Sequence, residues 1–141
     1  VKGQLRDIKS DVSIISVGAN DLTQLANRGK FSSQYRKMLA TIPASTTVVC
    51  FVVPDMVSLT RFDQPLRIIV GTMAGRLSCE IKDACADRKG TYLDIASKTG
   101  PRFRDDPEHL LANDNYHASN YGQEHWANAI APVLERVLAR R

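Results

Sequence analysis

The segment Thr46–Val53, Thr-Thr-Val-Val-Cys-Phe-Val-Val, is nearly continuous in β-branched and apolar residues and is cut off by Pro54-Asp55. An unbroken run of this kind, rather than an apolar/polar alternation, predicts a strand covered on both faces, and so a sheet flanked by helices. Two shorter runs repeat the theme: Asp11–Val17, ended by Gly18, and Thr91–Ile95, which follows Gly90. Between the runs the period changes. Phe31, Tyr35, Met38, Leu39 and Ile42 recur at helical spacing before Pro43, and Leu66, Ile69, Val70, Met73, Leu77, Ile81 and Cys85 form one stripe between Pro65 and Asp87. Strands alternating with helices imply a parallel sheet with right-handed crossovers, whose ligands sit beyond the carboxyl ends of the strands. Gly18, Asn20 and Asp55 are expected at that edge.

Downstream, residues Ala96–Asn115 carry Gly100-Pro101 and Asp106-Pro107 and predict a long, turn-rich loop, a feature that is usually functional in a compact domain. Within it, Arg102, Phe103 and Arg104 either meet a substrate or form a solvated stretch. From Ser119 to Leu138 the residues Trp126, Ala127, Ile130, Leu134, Val137 and Leu138 recur at helical spacing, which predicts a closing helix with Trp126 in the core and a kink or restart at Pro132.

A chain of 141 residues has the length for one domain with one core, expected over residues 1–141. The net charge of +4 is spread along the chain, and its one basic end, Arg136, Arg140 and Arg141, reads as a solvated helix terminus, so nucleic acid is not an expected partner. No stretch is apolar enough to span a membrane, and no leader is visible. Of the three cysteines, Cys79 and Cys85 lie six apart on a predicted helix, about 9 Å, too far for a disulfide. Buried free thiols are expected instead, with a lean toward a reducing, cytoplasmic compartment.

Two short motifs carry chemistry. Gly18-Ala-Asn-Asp21 closes the first strand, and Asp114-Asn-Tyr-His117-Ala-Ser-Asn-Tyr-Gly122 opens the last helix. Acyl transfer needs a base to take a hydroxyl proton, a group that orients the base, and donors for the developing oxyanion. Asp114 and His117, three apart, have the types for orienter and base, and the Asn20 amide for one donor. Their plainer roles are a loop pair capping the next helix and a turn residue. Asp21 and Asp55 read first as structural. His109 and His125 flank His117 at spacings of eight, without the i, i+4 pairing of helical zinc motifs, so no metal is expected, and acyl transfer of this kind calls for no organic cofactor.

Together the blocks resemble the SGNH, or GDSL-type, serine hydrolase superfamily. Ser10–Leu22 is similar to its third block, an apolar strand followed by G-x-N-D, and Asp114–Gly122 to its fifth, D-x-x-H with a downstream glycine. The similarity extends over Asp11 to Leu138. It implies an α/β fold, a three-layer α/β/α flavodoxin-like sandwich with a parallel sheet, and cleavage of esters, thioesters or O-acetyl groups. His117 would be the base, Asp114 its orienting carboxylate and Asn20 an oxyanion donor, with Gly18 and Asp55 near the substrate. The family's nucleophile sits in a G-D-S block after the first strand, and no serine of this chain has a GDS or GxSxG context. Two accounts stay open: the first strands and the serine lie upstream, as the helix-like start at Val1 favours, or the chain is an inactive relative binding an acylated carbohydrate or lipid. The first account implies an open sheet edge and self-association through it. The expected partner is a small-molecule ester or acylated carbohydrate.

Overall fold

A computed structural model describes residues 10–19, 28–52 and 63–140. The backbone gathers into two compact units, Val1–Val52 with Arg76–Leu93, and Val53–Gly75 with Asp94–Arg141.

The first unit holds a three-stranded parallel sheet in the order β1-β2-β3, formed by β1 (Val12–Ser16), β2 (Thr47–Phe51) and β3 (Thr91–Leu93). Register runs Val12 to Thr47 through Ser16 to Phe51 on one side of β2, and Val49 to Thr91 through Phe51 to Leu93 on the other. The strand with the unbroken apolar run is thus the central one, and Val48, Val49 and Cys50 are buried. β1 has a described neighbour on one side only and shows serines and a half-exposed Ile14. The contrast follows from sheet position: only a strand paired on both edges and covered on both faces needs apolar residues throughout.

Helix α1 (Arg28–Leu39) supplies Phe31, Tyr35 and Leu39 to the core, with Phe31 and Tyr35 stacked at 5.7 Å between ring centroids. It stops three residues before Ile42, which is itself buried in the turn. The Arg88 guanidinium donates to the Ile42 and Pro43 carbonyls at 3.1 and 2.7 Å, satisfying groups that the end of the helix leaves open. Arg36 also pairs with Asp87. In the long helix α2 (Leu66–Asp87), the part belonging to this unit buries Leu77, Ile81, Ala84 and Cys85. Its first turns differ from the expected stripe: Leu66 and Ile69 are about half exposed, and Val70 and Ala74 are buried. Periodicity marked the helix correctly, but alanines carry part of the buried face. Cys50 and Cys85 are buried free thiols, whereas Cys79 is exposed, contrary to expectation, because it projects from the other side of α2.

In the second unit the expected loop over 96–115 is instead largely helical. Asp94 ends β3 and caps α3 (Ile95–Asp105), its carboxylate accepting from the Ser97 backbone N–H at 3.0 Å and from Ser97 Oγ at 2.7 Å. Ile95, Thr99 and Phe103 are buried at i, i+4 and i+8, and the Thr99 hydroxyl donates to the Ile95 carbonyl at 2.8 Å. That stripe escapes hydropathy because its middle member is a threonine, while Gly100-Pro101 imitates a turn. Pro101 sits inside the helix and removes only the bond to the Ser97 carbonyl. Phe103 is therefore a core residue, not a loop residue, and stacks on Trp126 at 5.5 Å. The four-residue α4 (Pro107–Leu110) follows with proline at its start. Helix α5 (Asn120–Leu138), capped by Ser119, runs through Pro132 without a break and buries Val133 and Val137. No helix among the described residues is long and apolar enough to cross a membrane.

Candidate active site

Between α4 and α5 the chain makes a narrow reversal. Leu111 bridges Ala118 in antiparallel fashion, the Ala112 N–H donates to the His117 carbonyl at 2.8 Å, and Ser119 N–H donates to the Leu110 carbonyl at 2.9 Å. Leu110, Leu111 and Ala118 are buried and anchor both arms. At the tip Asn115 takes a left-handed φ of 55°, a conformation that asparagine tolerates better than most residues.

Asp114 organises this tip. Its Oδ1 accepts from the backbone N–H groups of Tyr116 and His117, each at 3.0 Å, and its Oδ2 lies 2.5 Å from His117 Nδ1. One carboxylate thus fixes the loop backbone and the imidazole together. The hydrogen bond to the His117 ring, then those from the two backbone N–H groups, hold Asp114 well below the usual carboxylate range. An ionised carboxylate can only accept, so the shared proton belongs to His117 Nδ1, and in the neutral ring that tautomer has its lone pair on Nε2. The Tyr116 ring stands edge-on to the imidazole at 5.0 Å, and the His117 side chain is 71% exposed, so that lone pair is open to an approaching hydroxyl. The arrangement is an exposed imidazole held through one nitrogen by a carboxylate, the geometry that general-base catalysis requires.

The downstream glycine of the motif has a packing reason. A Cβ on Gly122 would run into the Leu110 carbonyl oxygen and come within 3.0 Å of Phe103, so only glycine lets the first turn of α5 approach the reversal. Ser119 completes the joint, its Oγ accepting from Gly122 N–H at 3.2 Å and donating to the His109 carbonyl at 2.5 Å.

A second pair, overlooked in the sequence, repeats the same spacing. In Asp106-Pro-Glu-His109, His109 Nδ1 lies 2.6 Å from Asp106 Oδ1, and Arg102 donates to Asp106 Oδ2 at 2.8 Å. The bond to His109 keeps Asp106 below its ordinary range, and the same bond raises His109 above its own. Its signal was available as a second D-x-x-H, masked by the expectation of a loop.

Gly18, at the end of β1, is buried with φ of 116°, where a side chain would meet Leu77 at 2.9 Å; its freedom and small size set the exit from the strand. Asn20, Asp21 and Asp55 lie outside the described residues. Among the described residues no three histidine, cysteine or acidic side chains gather as a metal site.

Comparison with known proteins places this geometry in context. The chain is 29% identical over 110 residues to GDSL-like esterase Rv1075c of Mycobacterium tuberculosis, an alignment covering 77% of this chain and 35% of that protein. It thus spans about a third of the length of the curated relative it matches. A solved structure, an alpha/beta hydrolase enzyme from the metagenome of Lake Arreo, Spain, superposes with a TM-score of 0.62 over 86% of this chain and 58% of its own, at 15% identity, a likeness of fold. The model of the GDSL-like Lipase/Acylhydrolase family matches residues 1–125, and the chain, with its parallel α/β sheet and its D-x-x-H reversal, belongs to that family.

Proposed function

We propose that this chain forms the base-bearing part of a serine hydrolase acting on carboxylic esters, thioesters or O-acetyl groups, with the nucleophilic serine supplied from outside these 141 residues. The observation that carries this reading is the 2.5 Å contact of His117 Nδ1 with Asp114 on a side chain that is otherwise exposed. In the reaction His117 Nε2 takes the serine proton as its oxygen attacks the acyl carbon, and Asp114 stabilises the imidazolium that forms. The Asn20 amide donates to the tetrahedral oxyanion. Collapse expels the alcohol or thiol, which takes its proton from His117, and water repeats the cycle to release the acid. In this reading Gly18 and Asp55 belong to the substrate-binding residues. The small-molecule ester is the partner this mechanism requires, and the chain itself supplies no cofactor to it.

The absence of any G-D-S motif in the chain favours one other reading, an inactive domain that retains the pocket to hold an acylated carbohydrate or lipid. Fluorophosphonate labelling and p-nitrophenyl acetate turnover separate the two. The chain alone is expected to show neither, and the chain joined to its upstream polypeptide to show both, each lost in His117→Ala. A labelled serine within residues 1–141, or turnover that survives His117→Ala, overturns the assignment.

A further inference from the structure

Neighbouring side chains in an extended stretch project to opposite sides of the chain. At the tip of the reversal two of them meet instead. Asn115, with its left-handed φ of 55°, turns the backbone ahead of Tyr116, and Asp114 Oδ1 accepts from the Tyr116 and His117 N–H groups at 3.0 Å each. Held in that turn, the Tyr116 and His117 rings lie with centroids 5.0 Å apart and planes at 85°. Both values are those of a favourable perpendicular ring pair.

The two rings are anchored differently. Tyr116 is half-buried and its hydroxyl oxygen has essentially no accessible surface, so the far end of that ring is fixed in the protein. The side chains of His117 and Asp114 are 71% and 43% exposed. Water competes for both ends of their contact, and a pair this open is worth little by itself. The terminal torsion of a histidine is broad, so an imidazole held by that bond alone would swing and turn its Nδ1 to water.

We propose that Tyr116 is a positioning residue for His117, its ring holding the imidazole in the orientation that keeps Nδ1 on Asp114. The carboxylate selects which nitrogen carries the proton, and the perpendicular ring limits the swing that would break the contact. It is the ring of Tyr116 that meets His117, so phenylalanine serves as well as tyrosine. The consequence for ester cleavage rests on the reading of His117 as the base; the orientation of the imidazole does not.

Imidazole ¹⁵N NMR of the 141-residue chain, at a pH well above the ordinary histidine range so that the ring is neutral, reads the tautomer directly. The parent and Tyr116→Phe are expected to show the same excess of the Nδ1–H form of His117. Tyr116→Leu, which keeps apolar bulk without a flat ring, is expected to lower the ratio of Nδ1–H to Nε2–H by roughly two- to tenfold, the factor a ring pair of this kind contributes, and Tyr116→Ala by at least as much. The amide resonances of Ala112 and Ser119, whose N–H groups close the reversal, report whether the loop is intact. An unchanged ratio in Tyr116→Leu overturns the proposal, as does an equal fall in Tyr116→Phe. Displacement of the Ala112 and Ser119 amides in both the Leu and Ala variants overturns it too, because Tyr116 would then hold the loop and not the ring. In a protein that carries the serine, Tyr116→Leu is expected to lower kcat by the same factor with KM unchanged. A lowered ratio with unchanged kcat upholds the positioning and counts against His117 as the base, so the two failures are distinguishable.

Discussion

Asp114–His117 and Asp106–His109 share a spacing and a carboxylate-to-Nδ1 contact, 2.5 Å in one and 2.6 Å in the other, yet the two carboxylates differ in their other partners. Asp114 spends its second oxygen on two backbone N–H groups of its own loop, so the acid, the loop and the ring are one rigid object. Asp106 divides its oxygens between the His109 ring and the Arg102 guanidinium. A cation on the same carboxylate weakens its capacity to stabilise a second positive charge on the ring, which is what a base acquires when it takes a proton. His109 also sits in a helix, while His117 stands at the tip of a reversal. Spacing brings a carboxylate to an imidazole; the other partners of that carboxylate decide whether the pair suits proton transfer.

Four measurements break or sharpen this comparison. In a protein that carries the serine, His117→Ala is expected to lower kcat/KM for p-nitrophenyl acetate by roughly 10³-fold or more, with His109→Ala within about twofold of the parent. Equal losses from the two would dissolve the distinction. Next, Asp114→Asn removes the fixed tautomer and is expected to reduce kcat by roughly 10²–10⁴-fold, while Asp106→Asn leaves turnover nearly intact; a large effect from Asp106→Asn would move the active centre to the other pair.

Gly122→Ala acts on the element common to both, because its Cβ collides with the Leu110 carbonyl between them. It is expected to cost about 1–3 kcal/mol in thermal or urea unfolding and to shift amide resonances at both His109 and His117. An unchanged Tm would mean that α5 does not press on the reversal. The smallest effect is electrostatic. His109 is raised above its ordinary 6.5, so its contribution to stability is full below that pH and is lost as pH rises through the raised value. Asp106, held below its ordinary 3.8, contributes above that pH, and its part is lost as pH falls through the depressed value. An NMR titration of the His109 ring is expected to give a midpoint above 6.5 that falls back toward it in Asp106→Asn; a midpoint indifferent to that substitution would remove the ion pair from the comparison.

Legibility in the sequence followed the range of the interactions. Strands β1, β2 and β3, and helices α1, α2 and α5, were readable to within a few residues, since each announces itself by a local period and a local stop: Gly18, Pro43, Gly90. Parallel pairing followed from their alternation. The Asp114–His117 contact was readable too, because three residues of separation in a turn leave the two side chains little else to reach. Helix α3 was not, since Thr99 and Gly100 are buried without being apolar and Pro101 is tolerated inside it. What holds that helix is a cap from Asp94 together with Phe103 stacked on Trp126, a partner more than twenty residues away.

Cys79 makes the same point on a smaller scale. Composition favours a buried thiol, and the face of α2 on which it falls exposes it. Gly122 could be listed as part of a motif, but its reason, a carbonyl too close for any Cβ, exists only once α4 and α5 are packed. Local hydropathy and turn chemistry are written in neighbouring residues, so strands, helices and the Asp114–His117 pair could be inferred from order alone. The meeting of helix faces depends on contacts between residues far apart in the chain, so helix α3, the stack of Phe103 on Trp126 and the close fit at Gly122 came only with the folded structure.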